Sequence, residues 1–234
     1  MQYSLPLADE NRLLDVHRLL LAAFGPVPAS HRLDPVGQMV LAMLSGRTRD
    51  ALAMDAFMRL ARHLNGWEKL AAMEPHILKP LIFDITFAER KAVYLPEAIR
   101  RILSLRGRLD LGFLAAWPVE TARRWLEALP GVGAKTSAAV LNVSTLHRRI
   151  LTADTHHVRA AQRLGFVPPK ADIARTIRLL NRRLPDAWDA DDTEAHHVFM
   201  QRLGQTLCTH RDPGCSDCPL RRLCPSAGVE EAVP

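Results

Sequence analysis

Lys135 stands just after two glycines, in the stretch LPGVGAKT at residues 129–136. A helix-forming run follows, so the lysine is predicted in the first turn of a helix, where the helix dipole disfavours a positive charge and helps to keep the amine neutral. A neutral amine is a nucleophile toward an electrophilic carbon such as a sugar C1′, and the resulting Schiff base permits loss of a 3′-phosphate by β-elimination. The simpler interpretation is a solvated surface lysine.

The glycines themselves predict a tight turn between two helices, a helix-hairpin-helix. Backbone amides at the mouth of the second helix combine with its dipole to hold a phosphate or a bridging monovalent cation. The candidate DNA contacts in this turn are Leu129, Gly131, Val132 and Gly133. The open alternative is an ordinary turn between helices, because glycines are common at such junctions.

Asp154 follows Lys135 by nineteen residues, in TADTHH at residues 152–157. An aspartate where an extended segment becomes a helix is most often an N-cap. The same carboxylate can stabilise positive charge that develops on a sugar as its base departs, or accept the proton of an amine. The two roles are compatible.

Four cysteines occupy the end of the chain with the spacing C-x6-C-x2-C-x5-C, at Cys208, Cys215, Cys218 and Cys224. One tight pair flanked by two longer arms favours a [4Fe-4S] cluster, which takes one thiolate per iron, over zinc, whose compact sites usually pair two CxxC knuckles. Zinc remains the alternative. Arg221 and Arg222 lie beside these ligands and are candidate phosphate contacts, although a solvated charged surface explains them equally well.

Composition favours a polyanionic partner, because 31 Lys and Arg against 25 Asp and Glu leave a formal net charge of +6. No apolar run approaches the roughly 18 residues of a membrane helix, and no secretory leader is recognisable. The body of the chain has no cysteine, which argues against a disulfide framework. We therefore expect a soluble, cytoplasmic, nucleoid-associated protein without a membrane partner.

Apolar residues recur at helical spacing along the whole chain, and alternating strand patterns are absent, so the fold class is predicted as all-α. Asp34 is a predicted N-cap ahead of Pro35, Asp50 a predicted N-cap of the next helix, and Pro96 is expected to kink or divide a long helix. The predicted helices cover residues 9–24, 35–45, 51–64, 67–73, 76–82, 87–105, 118–129, 134–146, 155–164, 169–184 and 193–207, and 109–116 is ambiguous.

The blocks LPGVGAKTSAAVLN, TADTHHVRA and the cysteine ending together resemble the endonuclease III family of helix-hairpin-helix DNA glycosylases, in order and in spacing. This resemblance implies a two-lobed fold. A six-helix domain would span residues 34–148, and a cluster domain would combine 1–33 with 149–234, its cluster loop at 208–224.

The family's activity would follow from the same blocks. The resemblance implies a monomeric base-excision repair enzyme that flips a damaged or mismatched pyrimidine out of double-stranded DNA. Lys135 would be the glycosylase and AP-lyase nucleophile, and Asp154 the catalytic carboxylate. Double-stranded DNA with a damaged base or an abasic site would be its partner.

Two segments depart from the family pattern. Arg47 stands in MLSGRTRD where the family usually has a wedge glutamine, and Thr86 stands where it usually has a glycine in a turn that contacts phosphate. Arg47 can still fill the gap left by a flipped base and favour a guanine opposite it. These departures keep two alternatives open: altered specificity, toward alkylated purines or thymine opposite guanine, and a non-catalytic iron-sulfur protein that binds DNA.

Two pairs of adjacent histidines, at 156–157 and 196–197, invite a metal interpretation. Neighbouring residues on a helix point about 100° apart and do not converge on one ion without a third partner. We therefore predict that these histidines cap helices and line a cleft.

Overall fold

The computed structural model describes residues 9–28 and 31–228, which fold into helices joined by short turns. The predicted all-α class is confirmed, and no strand occurs in the described residues. The predicted cluster domain extends in part, over 1–8, 29–30 and 229–234, outside the described residues. The chain divides into two compact units: a central unit, His31–Arg148, and a terminal unit, Met1–Ser30 with Arg149–Pro234.

The described residues of the central unit contain six α-helices. The α-helices are α2 Pro35–Ser45, α3 Asp50–Leu64, α4 Pro75–Leu78, α5 Ala88–Arg106, α6 Val119–Glu127 and α7 Ala134–Val143, with 3-10 turns at Trp67–Ala72, Lys79–Ile82 and Gly112–Ala116. Helix α1, Asp9–Phe24, precedes them in the chain and belongs to the terminal unit. The apolar α2 is buried along most of its length and packs against both α3 and α7. This packing fixes the start of α7, where Lys135 lies.

The terminal unit contains α1 Asp9–Phe24, α8 Thr155–Arg163, α9 Ile173–Asn181 and α10 Ala190–Thr206, followed by 3-10 turns at Cys215–Asp217 and Arg221–Leu223. Helix α10 packs against α8 and α1. The core that joins them includes Leu13, Val16, Leu20, Leu151, Leu164, Phe166, Phe199 and Leu203. Three of the four cysteines pack partly against this core, so the end of the chain is anchored to the helices.

Local signals set many helix ends as predicted. The Asp34 carboxylate accepts hydrogen bonds from the amides of Val36 and Gly37, and Pro35 is the first residue of α2. Asn65 ends α3 in the left-handed conformation. Helix α9 is shorter than predicted because Asp172 caps it, which places residues 169–172 before the helix.

The predicted cap at Asp50 is wrong, and so is the division of a helix, one of the two effects predicted for Pro96. Asp50 does not cap α3: it is the first helical residue, and Arg49 holds the cap position without a side-chain bond. Pro96 does not divide α5, which runs unbroken from Ala88 to Arg106. Pro96 is buried with Leu95 and Ile99, so packing offsets the loss of one backbone hydrogen bond.

Within the part of the chain that the structure describes, no helix combines the length and the apolar character needed to cross a membrane.

Candidate active site

The predicted glycine turn joins α6 to α7 as a helix-hairpin-helix. Gly131 has φ +73°, and a Cβ at this position would come within 2.7 Å of the Tyr94 Cβ, so conformation and space both require glycine there. Gly133 has an ordinary extended backbone, and a Cβ there would meet nothing within 4 Å. The open space beside Gly133 leaves the start of α7 accessible to a ligand.

The side chains of Leu129 and Val132 are buried in the central unit, at 3% and 5% exposure. They anchor the hairpin, and any contact with DNA at these two residues falls to their backbone atoms. Helix α7 begins at Ala134 without a side-chain cap at Gly133. No side-chain cap therefore occupies the positive end of the helix dipole, where a phosphate is favoured.

Lys135 is the second residue of α7 and is half-buried. A second lysine, Lys91 on α5, lies buried in the same unit at 9% exposure. Burial, and then the positive charge of Lys135, lower the pKa of Lys91 to about 8. The two side-chain nitrogens therefore share one electrostatic environment, a relation that nothing in the local sequence of either lysine indicates.

Arg47 lies on the exposed turn after α2 with a left-handed backbone, φ +56°. Its guanidinium carbon lies 5.7 Å from the ring centre of Phe87, a separation suited to a cation–π contact. Phe87 is half-exposed and also has a left-handed backbone, φ +60°. Sequence reasoning singled out Arg47 but missed Phe87, its stacking partner.

The turn at Thr86 is hydrogen-bonded to the turn that follows α2. The Thr86 amide donates to Thr48 Oγ1 at 3.1 Å. That amide therefore already donates to a side chain of its own unit, at the turn where the family usually has a glycine.

Asp154 is the N-cap of α8 in the terminal unit, as predicted, and its side chain is 6% exposed. Its Oδ1 accepts the amide of His157 at 2.8 Å, and its Oδ2 accepts Gln201 Nε2 at 2.8 Å. Gln201 comes from α10, 47 residues away, and sequence reasoning missed it because no motif surrounds it. The two donors fix the carboxylate plane.

Close packing of α8 on α10 holds this arrangement. A Cβ on Gly204 would come within 2.8 Å of the His156 Cβ and 2.9 Å of the His156 carbonyl oxygen. Only glycine allows α10 to approach the first turn of α8 this closely.

The expectation that the paired histidines cap helices and line a cleft is wrong for His157 and His196. Both are fully buried, and their ring centres lie 5.6 Å apart in the core of the terminal unit. His17 joins them, with its ring centre 5.7 Å from that of His196. Burial lowers the pKa of all three imidazoles, most strongly for His157 and His196, so they are neutral at pH 7.

The four cysteines line one small cavity of about 50 Å³, together with Arg163. All four are half-buried and unpaired by disulfides. Arg163 Nη1 donates to Cys208 Sγ at 3.2 Å. Burial, followed by weaker contributions from the other thiols, raises the pKa of Cys218 and Cys224, so four thiolates gather here favourably only around a cation.

Arg221 and Arg222 form a short exposed 3-10 turn between Cys218 and Cys224. Both residues are exposed, as a phosphate contact requires, and Arg221 also lines the cysteine cavity. The same exposure suits a solvated surface.

The predicted residues thus fall into two groups. The central unit contains the hairpin, Lys135 and the Arg47 turn, whereas the terminal unit contains Asp154, the cysteines and the two arginines.

Comparison with known proteins gives this arrangement its family. Residues 40–186, which include the hairpin, Lys135 and Asp154, match the HhH-GPD superfamily of base excision DNA repair proteins. The chain belongs to that superfamily. The predicted resemblance to endonuclease III is confirmed by relatives that bear that name and by solved structures.

Two bacterial relatives and one structure illustrate the similarity. Endonuclease III of Treponema pallidum is 36% identical over 129 residues, covering 55% of this chain and 57% of the relative. Endonuclease III of Thermotoga maritima is 29% identical over 199 residues, covering 84% and 86%. A trapped endonuclease III–DNA covalent intermediate shares the fold with a TM-score of 0.77 at 23% identity, covering 93% of this chain and 96% of that one.

The chain is shorter than some of its relatives. It spans about half to three-fifths of the length of two Arabidopsis thaliana relatives, 61% of one and 49% of the other.

Proposed function

We propose that this protein is a DNA glycosylase with AP-lyase activity that removes damaged or mismatched pyrimidines from double-stranded DNA. The observation that carries the proposal is the hairpin that leads directly into Lys135: an open, uncapped helix start with a half-buried lysine one residue further on. Relatives named endonuclease III and membership of the HhH-GPD superfamily support it.

The hairpin would hold a DNA phosphate through backbone amides, which is independent of base sequence. Gly133 supports this role because its side has room for the phosphate. A monovalent cation bridging the hairpin and the phosphate is part of the same prediction. A net charge of +6 further favours attraction to DNA.

Lys135 would carry out the covalent chemistry. Its neutral Nζ attacks C1′ of the flipped nucleotide, the bond between C1′ and the base breaks, and the base leaves with the electron pair and takes up a proton. The nitrogen gives up one proton to solvent, and the C1′–O4′ bond then breaks, with its electron pair and a proton from solvent going to O4′. The nitrogen lone pair forms the second bond to C1′, which leaves a protonated Schiff base and an open sugar. Loss of a C2′ proton then expels the 3′-phosphate with the electrons of the C3′–O bond.

Asp154 would stabilise the positive charge that builds on the sugar as the base leaves, or accept a proton from the amine. The hydrogen bonds from the His157 amide and Gln201 hold its carboxylate in one orientation. A preorganised anion needs no rearrangement when the charge appears, which is the basis of electrostatic catalysis.

Borohydride trapping on duplex DNA with an abasic site tests the Schiff base. The parent enzyme should form a covalent adduct, Lys135→Gln should form none, and Lys69→Gln, a change at an exposed lysine of the same unit, should trap like the parent. Equal trapping by Lys135→Gln would assign the nucleophile to another amine.

The role of Asp154 is tested by Asp154→Asn, which keeps the shape of the side chain and removes its charge. We expect loss of base release with DNA affinity retained, because the carboxylate acts on the transition state. Unchanged single-turnover rates would remove Asp154 from the chemistry.

The cysteine cavity would hold a [4Fe-4S] cluster through Cys208, Cys215, Cys218 and Cys224. One tight CxxC pair flanked by two longer arms supports the cluster over zinc, whose compact sites usually pair two such knuckles. When bound, the cluster would supply structural order and positive charge balance to this loop.

Iron and acid-labile sulfide in equal amounts, with a yellow-brown colour, are expected in protein purified without air. Stoichiometric zinc in colourless protein would contradict the cluster. Cys218→Ser should lose iron and the ordered loop without altering α2 to α7, which belong to the central unit.

One observation favours a second candidate function, a glycosylase of altered specificity. Arg47, not glutamine, occupies the exposed turn, and its stacking on Phe87 fixes a donor-rich group there. A panel of duplexes with oxidised pyrimidines, alkylated purines and thymine opposite guanine separates the candidates by rate of base release. Binding without release on every duplex would instead indicate a non-catalytic DNA-binding protein.

A further inference from the structure

Lys91 makes an unusual set of contacts for a buried lysine. Its Nζ donates to the carbonyl oxygens of Leu44 at 2.6 Å and Gly46 at 2.8 Å, and to Thr48 Oγ1 at 3.2 Å. All three acceptors belong to the end of α2 and the turn after it. The ammonium group therefore donates to the oxygen atoms that surround it in the turn that carries Arg47.

The left-handed backbone of Arg47 explains what these contacts do. A left-handed conformation is unfavourable for an arginine and needs support from its surroundings. The residues on either side of Arg47, Gly46 and Thr48, are the ones that Lys91 binds. A turn hydrogen bond from the Thr48 amide to the Ser45 carbonyl, at 3.0 Å, closes the same loop.

The same network reaches the residue that Arg47 stacks on. Thr48 Oγ1 accepts the Thr86 amide as well as Lys91 Nζ, which ties the Arg47 turn to the segment before α5. Phe87 follows Thr86, and Lys91 lies one helical turn further on, where its amide donates to the Phe87 carbonyl at 3.0 Å. Lys91 thus contacts both sides of the stacked pair.

We propose that Lys91 is a positioning residue for base selection: its buried ammonium holds the 45–48 turn so that Arg47 meets the base opposite the lesion in one fixed orientation. The inference rests on the proposed function, since it assigns Arg47 a base to read. It deepens that function by naming the residue on which the selectivity depends.

A rigid donor set discriminates between bases, whereas a mobile arginine satisfies several of them and behaves as a general phosphate-seeking cation. Loss of the Lys91 contacts should therefore remove selectivity more than affinity. A residue with a purely structural role should instead weaken binding to every duplex by the same factor.

The test measures dissociation constants for four duplexes that carry a tetrahydrofuran abasic-site analogue opposite A, C, G or T. The variants are Arg47→Ala, Lys91→Met and the double variant, with Lys69→Met as the control for loss of a surface charge. Lys91→Arg keeps a cation with several donors. Because these duplexes contain no base to release, the measurement does not depend on catalysis.

The parent should prefer one opposite base over the least favoured by about fivefold or more. Arg47→Ala and Lys91→Met should each flatten this preference, the double variant should flatten it no further, and Lys91→Arg should keep part of it. Lys69→Met should keep all of it.

Uniform weakening by Lys91→Met across the four duplexes, additive effects in the double variant, or no preference in the parent would each overturn the inference. If Lys91→Met fails to fold, Thr48→Val, which removes the shared hydroxyl at constant volume, takes its place with the same expected outcomes. Failure of the proposed function is seen separately, as absence of base release from every lesion duplex.

Discussion

Because Lys91 is buried, we expect the free energy of unfolding to depend on pH. Its pKa falls from 10.5 to about 8 in the folded protein. This difference of about 2.5 units corresponds to roughly 3 kcal/mol, at about 1.4 kcal/mol per unit. The buried site disfavours the charged form by this amount relative to the unfolded chain.

The sign follows from proton binding. Between pH 8 and 10.5 the unfolded chain holds a proton on Lys91 that the folded protein has released, so stability rises with pH across this window. Below pH 8 both states are protonated, and the full cost of the buried charge is present. From pH 7 to pH 10 the contribution of Lys91 should increase the free energy of unfolding by about 2 to 3 kcal/mol.

The measurement is urea unfolding at pH 7, 8, 9 and 10, followed by tryptophan fluorescence, for the parent, Lys91→Met and Lys69→Met. Three of the four tryptophans, Trp67, Trp117 and Trp125, lie in the central unit with Lys91. Other titrating groups cancel in the difference between parent and variant.

The free energy of the parent minus that of Lys91→Met should climb with pH and level off above the unfolded pKa. Lys69→Met should follow the parent in parallel. A difference that stays flat between pH 8 and pH 10 would refute the account of Lys91 as a buried cation with a lowered pKa.

Three further predictions concern the glycines and the buried histidines. Gly131→Ala should lower the melting temperature, because the backbone at Gly131 is left-handed and a Cβ there would lie 2.7 Å from the Tyr94 Cβ. Gly133→Ala should fold normally and weaken DNA binding, because a Cβ there meets nothing within 4 Å. Equal melting temperatures for the two variants would contradict this contrast. Gly204→Ala should push α10 away from α8 and slow base release more than it weakens DNA binding, measured by single-turnover kinetics and fluorescence anisotropy. The free energy of unfolding should fall as the pH drops below 6.5, because the unfolded chain binds protons that the buried imidazoles of His157 and His196 do not bind. The expected slope is up to about 1.4 kcal/mol per pH unit for each imidazole. If His157→Phe, unfolded with circular dichroism as the probe, shows the same dependence on acid pH as the parent, His157 does not contribute to it.

The residues whose signals are local were predictable from the sequence. Asp154 precedes a helix and caps it, Gly131 takes the left-handed conformation that a hairpin needs, and the spacing of the cysteines brings them to one cavity. Each of these depends on backbone geometry within a few residues or on a short closed loop. The helical class followed in the same way from the spacing of apolar residues.

Tertiary structure decided what surrounds those residues. Gln201 binds Asp154 from 47 residues away, and Lys91 binds the Arg47 turn from more than 40 residues away, so no local sequence pattern predicts either contact. His157 and His196 were misjudged for the same reason: polar residues on a helix are expected at the surface, and only the packing of α8 against α10 places them in the core. The sequence by itself determined which groups can do chemistry, because residue type and local backbone conformation decide which side chains are reactive. Tertiary structure decided how those groups are held and charged, because burial and long-range hydrogen bonds exist only after the chain has folded.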